Sequence, residues 1–290
     1  MRSSWLGRGS RRGVKSPSGA PPAPRAAYVT SVRVAAALVA LFAGGCVGVL
    51  LPEHELLRDV YVRGSGRTPT YALTFDDGPN GVCTEAVLDA LRDVGATGTF
   101  FVLGKNVARG RSDGLLARMV REGHTIGVHS DSHRVRPLFR RSLTLGELRD
   151  ARRAVVDALA RGGIANPPGP TLFRPPFGFL TATSARAAAE AGFRIVEWTV
   201  SVEDWRSERT GTEVADAILA RTRAGDVIVL HDGNGTHHGS EERCRDRPNA
   251  AAAVRLLVPA LAARGLRPAP LAELLGLDLS ANVDDPGRDH

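Results

Sequence analysis

The chain has 290 residues, 43% of them apolar and 24% charged, an ordinary globular composition with room for one large domain or two small ones. Its net charge of +7 suggests a nucleic-acid or anionic-surface partner, yet residues 1–51 hold seven basic side chains and no acid, which leaves 31 basic and 31 acidic side chains in residues 52–290. A nucleic-acid binder needs a basic face on its folded part, so no nucleic-acid partner is expected.

Residues 1–33 form a basic leader rich in Arg, Ser, Gly and Pro and expected to be disordered. Residues 34–51 follow without a charge, a run just long enough to cross a bilayer as a helix. The flank before it is basic, and the flank after it opens Pro52-Glu53-His54-Glu55. By the positive-inside rule the leader stays in the cytoplasm and the rest of the chain is exported. The expected partner of residues 34–51 is therefore the cell membrane, with the folded part extracytoplasmic, or secreted if the segment is cleaved. An uncleaved anchor is the simplest form. A cleaved signal and a lipoprotein-like box at Ala43-Gly44-Gly45-Cys46 stay open, the latter with Ala in place of the usual Leu.

A linker covers 52–68. Short apolar runs at 71–75, 99–103, 125–128, 172–174, 194–199 and 226–230 are predicted strands. Helices are predicted near 84–94, 112–122, 144–161, 181–191 and 211–223, and at 248–264 after the last strand. Thr144 with Glu147 three residues on reads as a capping box, and Gly95, Gly123, Gly162 and Gly192 sit where helices should stop. This alternation over 69–275 predicts an α/β fold with a parallel sheet, closed or nearly closed into a barrel, followed by a tail at 276–290. In such barrels chemistry gathers at the C-terminal ends of the strands.

Chemistry-bearing residues fall at those ends. His129 and His133 are four apart; on one helical turn they would share a face and could bind one metal, or simply pack. Asp76 and Asp77 close the first strand within Asp76-Asp77-Gly78-Pro79, which is equally a turn sequence. Successive side chains of a strand point opposite ways, so both carboxylates serve one site only if the strand end twists. A set of two His and one carboxylate suits zinc best, with cobalt, nickel or iron as alternatives.

Five motifs stand in order: Thr74-Phe75-Asp76-Asp77-Gly78-Pro79, His129-Ser130-x-x-His133, Arg174-Pro175-Pro176-Phe177-Gly178, Asp204-Trp205 and Val229-Leu230-His231-Asp232. Over roughly 68–275 the chain resembles the NodB-type polysaccharide deacetylases, family 4 of the carbohydrate esterases. The resemblance implies an incomplete, distorted (β/α) barrel that hydrolyses N- or O-acetyl groups on sugars with a divalent metal. By position it implies that Asp77, His129 and His133 hold the metal and that Asp76 is the catalytic base. His231 is then the general acid, Asp204 orients and raises it, and Arg174 orients Asp76. A backbone N–H at Phe177 would face the oxyanion. Trp205 would pack under His231 or line the sugar groove, and Val229 would line the acetyl-methyl pocket.

There are departures. Ser201 stands where many members have Asp, Phe177 where Tyr is common, and Val229 where Leu is frequent, which makes the methyl pocket roomier. Cys83 and Cys244 both follow motif strands in an exported chain and are expected to form a disulfide. His237 and His238 are read as solvated. The expected substrate is an acetylated glycan with N-acetylglucosamine units, of peptidoglycan or chitin type, acted on by a monomer. An O-acetyl esterase of xylan type and an inactive glycan-binding protein are the alternatives.

Overall fold

The computed structural model describes residues 60–109, 112–206, 208–233 and 247–279. Its elements run β1 (Val60–Tyr61), β2 (Thr70–Asp76), α1 (Gly81–Asp93), β3 (Gly98–Val102), α2 (Gly104–Ala108), α3 (Asp113–Arg121) and β4 (Thr125–Val128). A 3-10 turn (Arg136–Phe139) leads into α4 (Arg141–Arg161), then β5 (Leu172–Phe173), a second 3-10 turn (Pro176–Gly178), α5 (Ala182–Glu190) and β6 (Arg194–Val196). The chain continues through α6 (Gly211–Leu219), β7 (Val227–His231), α7 (Pro248–Ala263), β8 (Arg267–Pro268) and α8 (Leu271–Leu275).

The strands pair in the order β1-β6-β5-β4-β3-β2-β7, with β8 beside the start of β2, and every pair is parallel. The result is a parallel half-barrel. Its two sides meet at one isolated bridge between Val200, just beyond β6, and Ile228 of β7. Each strand follows the period of two. Tyr71, Leu73 and Phe75 of β2 face the helices and pack with Val87, Leu88 and Leu91 of α1 and with Val254 and Leu257 of α7. Ala72 faces inward, where it joins Phe101, Leu172, Val196 and Val227, with Leu271 of α8 in the same cluster. That packing fills the lower half of the barrel and leaves the chemistry to the upper rim.

The predicted strands and helices are all present, with ends moved by a few residues. Glycine stops three helices through the left-handed conformation at Gly95 (φ 64), Gly123 (φ 79) and Gly192 (φ 72). After α4 that conformation falls one residue later than expected, at Gly163 (φ 81). Genuine capping boxes start α5 at Thr181 and Ser184, and α6 at Thr210 and Glu213. The box expected at Thr144 is absent, because α4 begins a turn earlier and its first residues are already helical. Thr144 donates to the Pro137 carbonyl instead, and Glu147 is taken by a loop described below. Cys83, in the first turn of α1, is disulfide-bonded. Cys244, His237, His238 and the apolar run at 34–51 lie outside the described residues. Among the described residues no helix is long and apolar enough to cross a membrane.

Candidate active site

Sheet register builds the centre of the rim. Asp76, the last residue of β2, stands opposite His231, the last residue of β7, and the pair Val128↔Phe173 sets His129 and Arg174 side by side one step further on. At Asp77 the backbone turns to φ 74. That left-handed residue breaks the strand alternation, so both carboxylates serve one centre. His129 Nε2 lies 3.9 Å from Asp76 Oδ2 and 3.7 Å from Asp77 Oδ1.

Asp77, His129 and His133 bring three ligand atoms within 4.8 Å of one another. His133 Nε2 is 3.2 Å from Asp77 Oδ1, and the two imidazole rings are 5.0 Å apart. They do not share a helical turn, as the spacing suggested. Residues 129–133 form an irregular loop with Ser130 at φ 71 and His133 at φ 56. Three features fit a cation. Asp77 Oδ1 is buried without a hydrogen-bond donor. Burial pushes the His129 imidazole down to about 3 against the nearby Asp77 charge, which keeps the ring neutral. Its Nδ1 lies 2.7 Å from the Arg174 carbonyl, an acceptor only, so Nδ1 carries the proton and Nε2 keeps a free lone pair.

Arg174 is fully buried, and its guanidinium lies 4.1 Å over the Phe101 ring. It donates to Asp76 Oδ1 at 2.7 Å, to Thr74 Oγ1 at 2.8 Å and to the carbonyls of Val196 and Glu197 at 3.1 and 3.2 Å. These bonds fix Asp76 from the interior side. Across the rim, His231 Nδ1 lies 2.9 Å from Asp204 Oδ1, and the His231 backbone N–H donates to Asp204 Oδ2 at 2.7 Å. Burial works to lower the His231 pKa, but the charge and hydrogen bond of Asp204, with the charges of Asp77 and Asp76, outweigh it together and raise the imidazole to about 9. The Trp205 ring stands edge-on to His231 at 5.2 Å and is 42% exposed, so it both packs on the histidine and borders solvent. Val229 is buried two residues before His231 on the same inward face. Phe177 takes φ 62 at the tip of its turn, and its exposed ring rests 4.3 Å from that of His133.

Several buried groups at the site carry no role in the sequence reading. Asp232 accepts from the Thr84 hydroxyl, which itself accepts the Asn80 N–H. It is packed so tightly under Gly78 that a Cβ there would lie 2.3 Å from its Oδ2. Burial, opposed by the Thr84 bond, pushes Asp232 up to about 7. Burial likewise raises Glu197, beside Arg174, to about 8. Asn106 of α2 donates to the Asp77 carbonyl at 2.8 Å. Asp232 stands inside a quoted motif and was within reach of sequence reading, but nothing in the pattern marks Asn106, whose partner is a backbone atom 29 positions away.

Residues 63–196 match the family described as polysaccharide deacetylase. A chitooligosaccharide deacetylase of Bradyrhizobium is 36% identical over 218 residues, covering 72% of this chain and 92% of the relative. A peptidoglycan-N-acetylglucosamine deacetylase of Bacillus cereus is 30% identical over 207 residues, with 70% and 87% covered. The solved family 4 acetyl xylan esterase of Clostridium thermocellum, in complex with cobalt, superposes with a TM-score of 0.60 at 28% identity, covering 72% of this chain and 93% of that one. The chain belongs to the polysaccharide deacetylase family of hydrolases.

Proposed function

We propose that this chain removes N-acetyl groups from N-acetylglucosamine-containing glycans, of peptidoglycan or chitin type, with zinc held by Asp77, His129 and His133. The observation that carries the reading is the convergence, at one rim, of that ligand set with an arginine-bound carboxylate and a carboxylate-bound histidine. Relatives named chitooligosaccharide deacetylase and peptidoglycan-N-acetylglucosamine deacetylase match this chain over most of their length, which supports the choice of an N-acetylglucosamine substrate.

A bound divalent cation supplies Lewis-acid polarisation of the acetyl carbonyl and acidifies water. The chain's own residues do the rest. Asp76, aimed by the hydrogen bond from Arg174, takes a proton from the water whose oxygen attacks the acetyl carbon. His231, protonated through Asp204, gives a proton to the sugar nitrogen as the carbon–nitrogen bond breaks, leaving acetate and a free amine. The Phe177 N–H, in a turn beside His133, would donate to the developing oxyanion. Exposed rings stand beside both histidines, Trp205 at His231 and Phe177 at His133, and offer stacking faces to a sugar.

The test is acetate release by the full chain, purified in detergent, from N-acetylglucosamine oligomers and from acetylated xylan. The wild type with zinc is expected to act on the former, and Asp76→Asn to lose roughly 100- to 10,000-fold in kcat while still taking up zinc. Zinc uptake with no acetate from any acetylated sugar, and an Asp76→Asn variant that behaves identically, leaves only a glycan-binding protein. Preference for xylan would favour an O-acetyl esterase, the reading that the likeness to the Clostridium thermocellum enzyme supports. The apolar run at 34–51 and its basic flank support a location too: we propose that this segment takes the chain to the membrane, in the simplest form as an uncleaved anchor, and that residues 69–275 act outside the cytoplasmic membrane. Protease added to intact expressing cells is expected to digest the catalytic part. Complete protection in intact cells, with digestion after lysis, excludes that location.

A further inference from the structure

The loop that carries both candidate ligand histidines has no regular structure to hold it. Beyond His129, whose N–H still reaches β3, the loop leaves strand pairing, with Ser130 at φ 71 and His133 at φ 56. Buried amides without partners are costly, so the question is what accepts them. One side chain does. Glu147, on α4, accepts the Asp131 N–H at 3.0 Å and the Ser132 N–H at 2.7 Å through Oε2, and the Ser132 hydroxyl at 2.6 Å through Oε1. Hydrogen bonds to a carboxylate are stronger than neutral ones, and here three converge on a half-buried group. From the opposite side, α2 takes the loop's carbonyls: Gly104 N–H donates to Ser130 and Lys105 N–H to Asp131, each at 3.1 Å.

The two histidines are not equally anchored. His129 is fixed by its backbone N–H to the Val102 carbonyl at 2.8 Å and by its Nδ1 to the Arg174 carbonyl. Among the described residues His133 has one hydrogen bond, inside the loop, from its N–H to Ser130 Oγ at 3.0 Å, besides the contact of its ring with Phe177. Its place beside Asp77 therefore depends on the loop as a whole. We propose that Glu147 is a positioning residue for the metal site, clamping loop 130–132 so that His133 faces Asp77 and His129. This rests on the reading of Asp77, His129 and His133 as metal ligands.

The experiment is a cycle of zinc affinities for the full chain, by competition with a chromophoric chelator, in wild type, Glu147→Ala, His133→Ala and the double variant, together with cobalt absorption spectra. Glu147→Ala is expected to weaken zinc binding by roughly 10- to 100-fold and to shift the cobalt spectrum toward that of His133→Ala. In the His133→Ala background it should change affinity by less than about threefold, because the side chain through which it acts is gone. Glu147→Gln, which keeps one acceptor oxygen, should fall between. Wild-type affinity and spectrum in Glu147→Ala would overturn the proposal, as would an equal loss in both backgrounds, or a wild type that binds no zinc. If Glu147→Ala does not fold, Glu147→Gln and Ser132→Ala enter the same cycle with the same criteria. Because affinity is read without turnover, a chain that binds zinc as described but releases no acetate overturns the functional reading and leaves this one standing.

Discussion

Asp204, with smaller help from the Asp77 and Asp76 charges, sets the working range of the acid across the rim. Its charge and hydrogen bond raise His231 to about 9 against the effect of burial, so the imidazolium persists until pH climbs through that value. With His231 as acid, kcat should fall above pH about 9, and Asp204→Asn should move that alkaline limb toward acid by more than about one pH unit. A pH–rate profile of both forms checks this; coincident limbs would remove His231 from the acid role. The same shift links to stability. Raised from its ordinary 6.5, the group contributes fully below that pH and loses its contribution as pH rises through about 9. Arg174 offers a second residue-scale test. Its replacement by Met leaves Asp76 a buried carboxylate without its main donor and should cost about 3–5 kcal/mol in urea unfolding. Adding Asp76→Asn should recover part of that loss. Site chemistry of this kind was legible where a residue type and its order along the chain suffice, as for Asp76, Asp77, His129, His133, Arg174 and His231. The twist that lets Asp76 and Asp77 work together was posed by the sequence as a condition, and only the φ of 74 at Asp77 meets it.

Among the elements, the five-residue α2 ties the two ligand-bearing loops together. Asn106 holds the Asp77 carbonyl, Leu103 N–H just before the helix holds that of Gly78 at 2.9 Å, and Gly104 and Lys105 hold the histidine loop. Gly104 permits the fit, because a Cβ there would lie 2.5 Å from Asp131 Oδ1 and 2.7 Å from Ala151 Cα. Gly104→Ala should cost about 1–3 kcal/mol by overpacking and weaken zinc affinity too, measured by urea unfolding and chelator competition; an unchanged midpoint would contradict the packing. This helix went unseen in the sequence because five residues carry no period, whereas the longer helices and the apolar strands did. Thr144 and Glu147 were misread for a related reason. Their spacing satisfies a local cap, but a loop sixteen residues earlier offers Glu147 three donors, and the tertiary partner prevails.

Across the whole molecule the candidate cation joins β2 to the loop after β4. Its removal should therefore be felt by the fold, not by the site alone. A ligand present at 100 times its Kd stabilises the folded state by about 2.7 kcal/mol, so chelation should lower the Tm of the wild type and leave Asp77→Asn, already unable to bind, unchanged. The strands themselves are unequally joined. β2 meets β7 through five register pairs, while β7 meets the chain beyond β6 through one bridge pair, Val200 and Ile228, and the hydrogen bonds of Thr199 beside it. The barrel is thus a bracelet with one clasp, and Asp204 hangs four residues past it. Local opening follows the weakest joint. The Val200 and Val229 amides that cross the clasp should exchange with deuterium before those of Phe75 or Phe100. Each such opening would loosen the segment leading to Asp204, leaving that residue held by Asn249 of α7 and by His231, while the side that gathers Asp77, His129 and His133 stays shut.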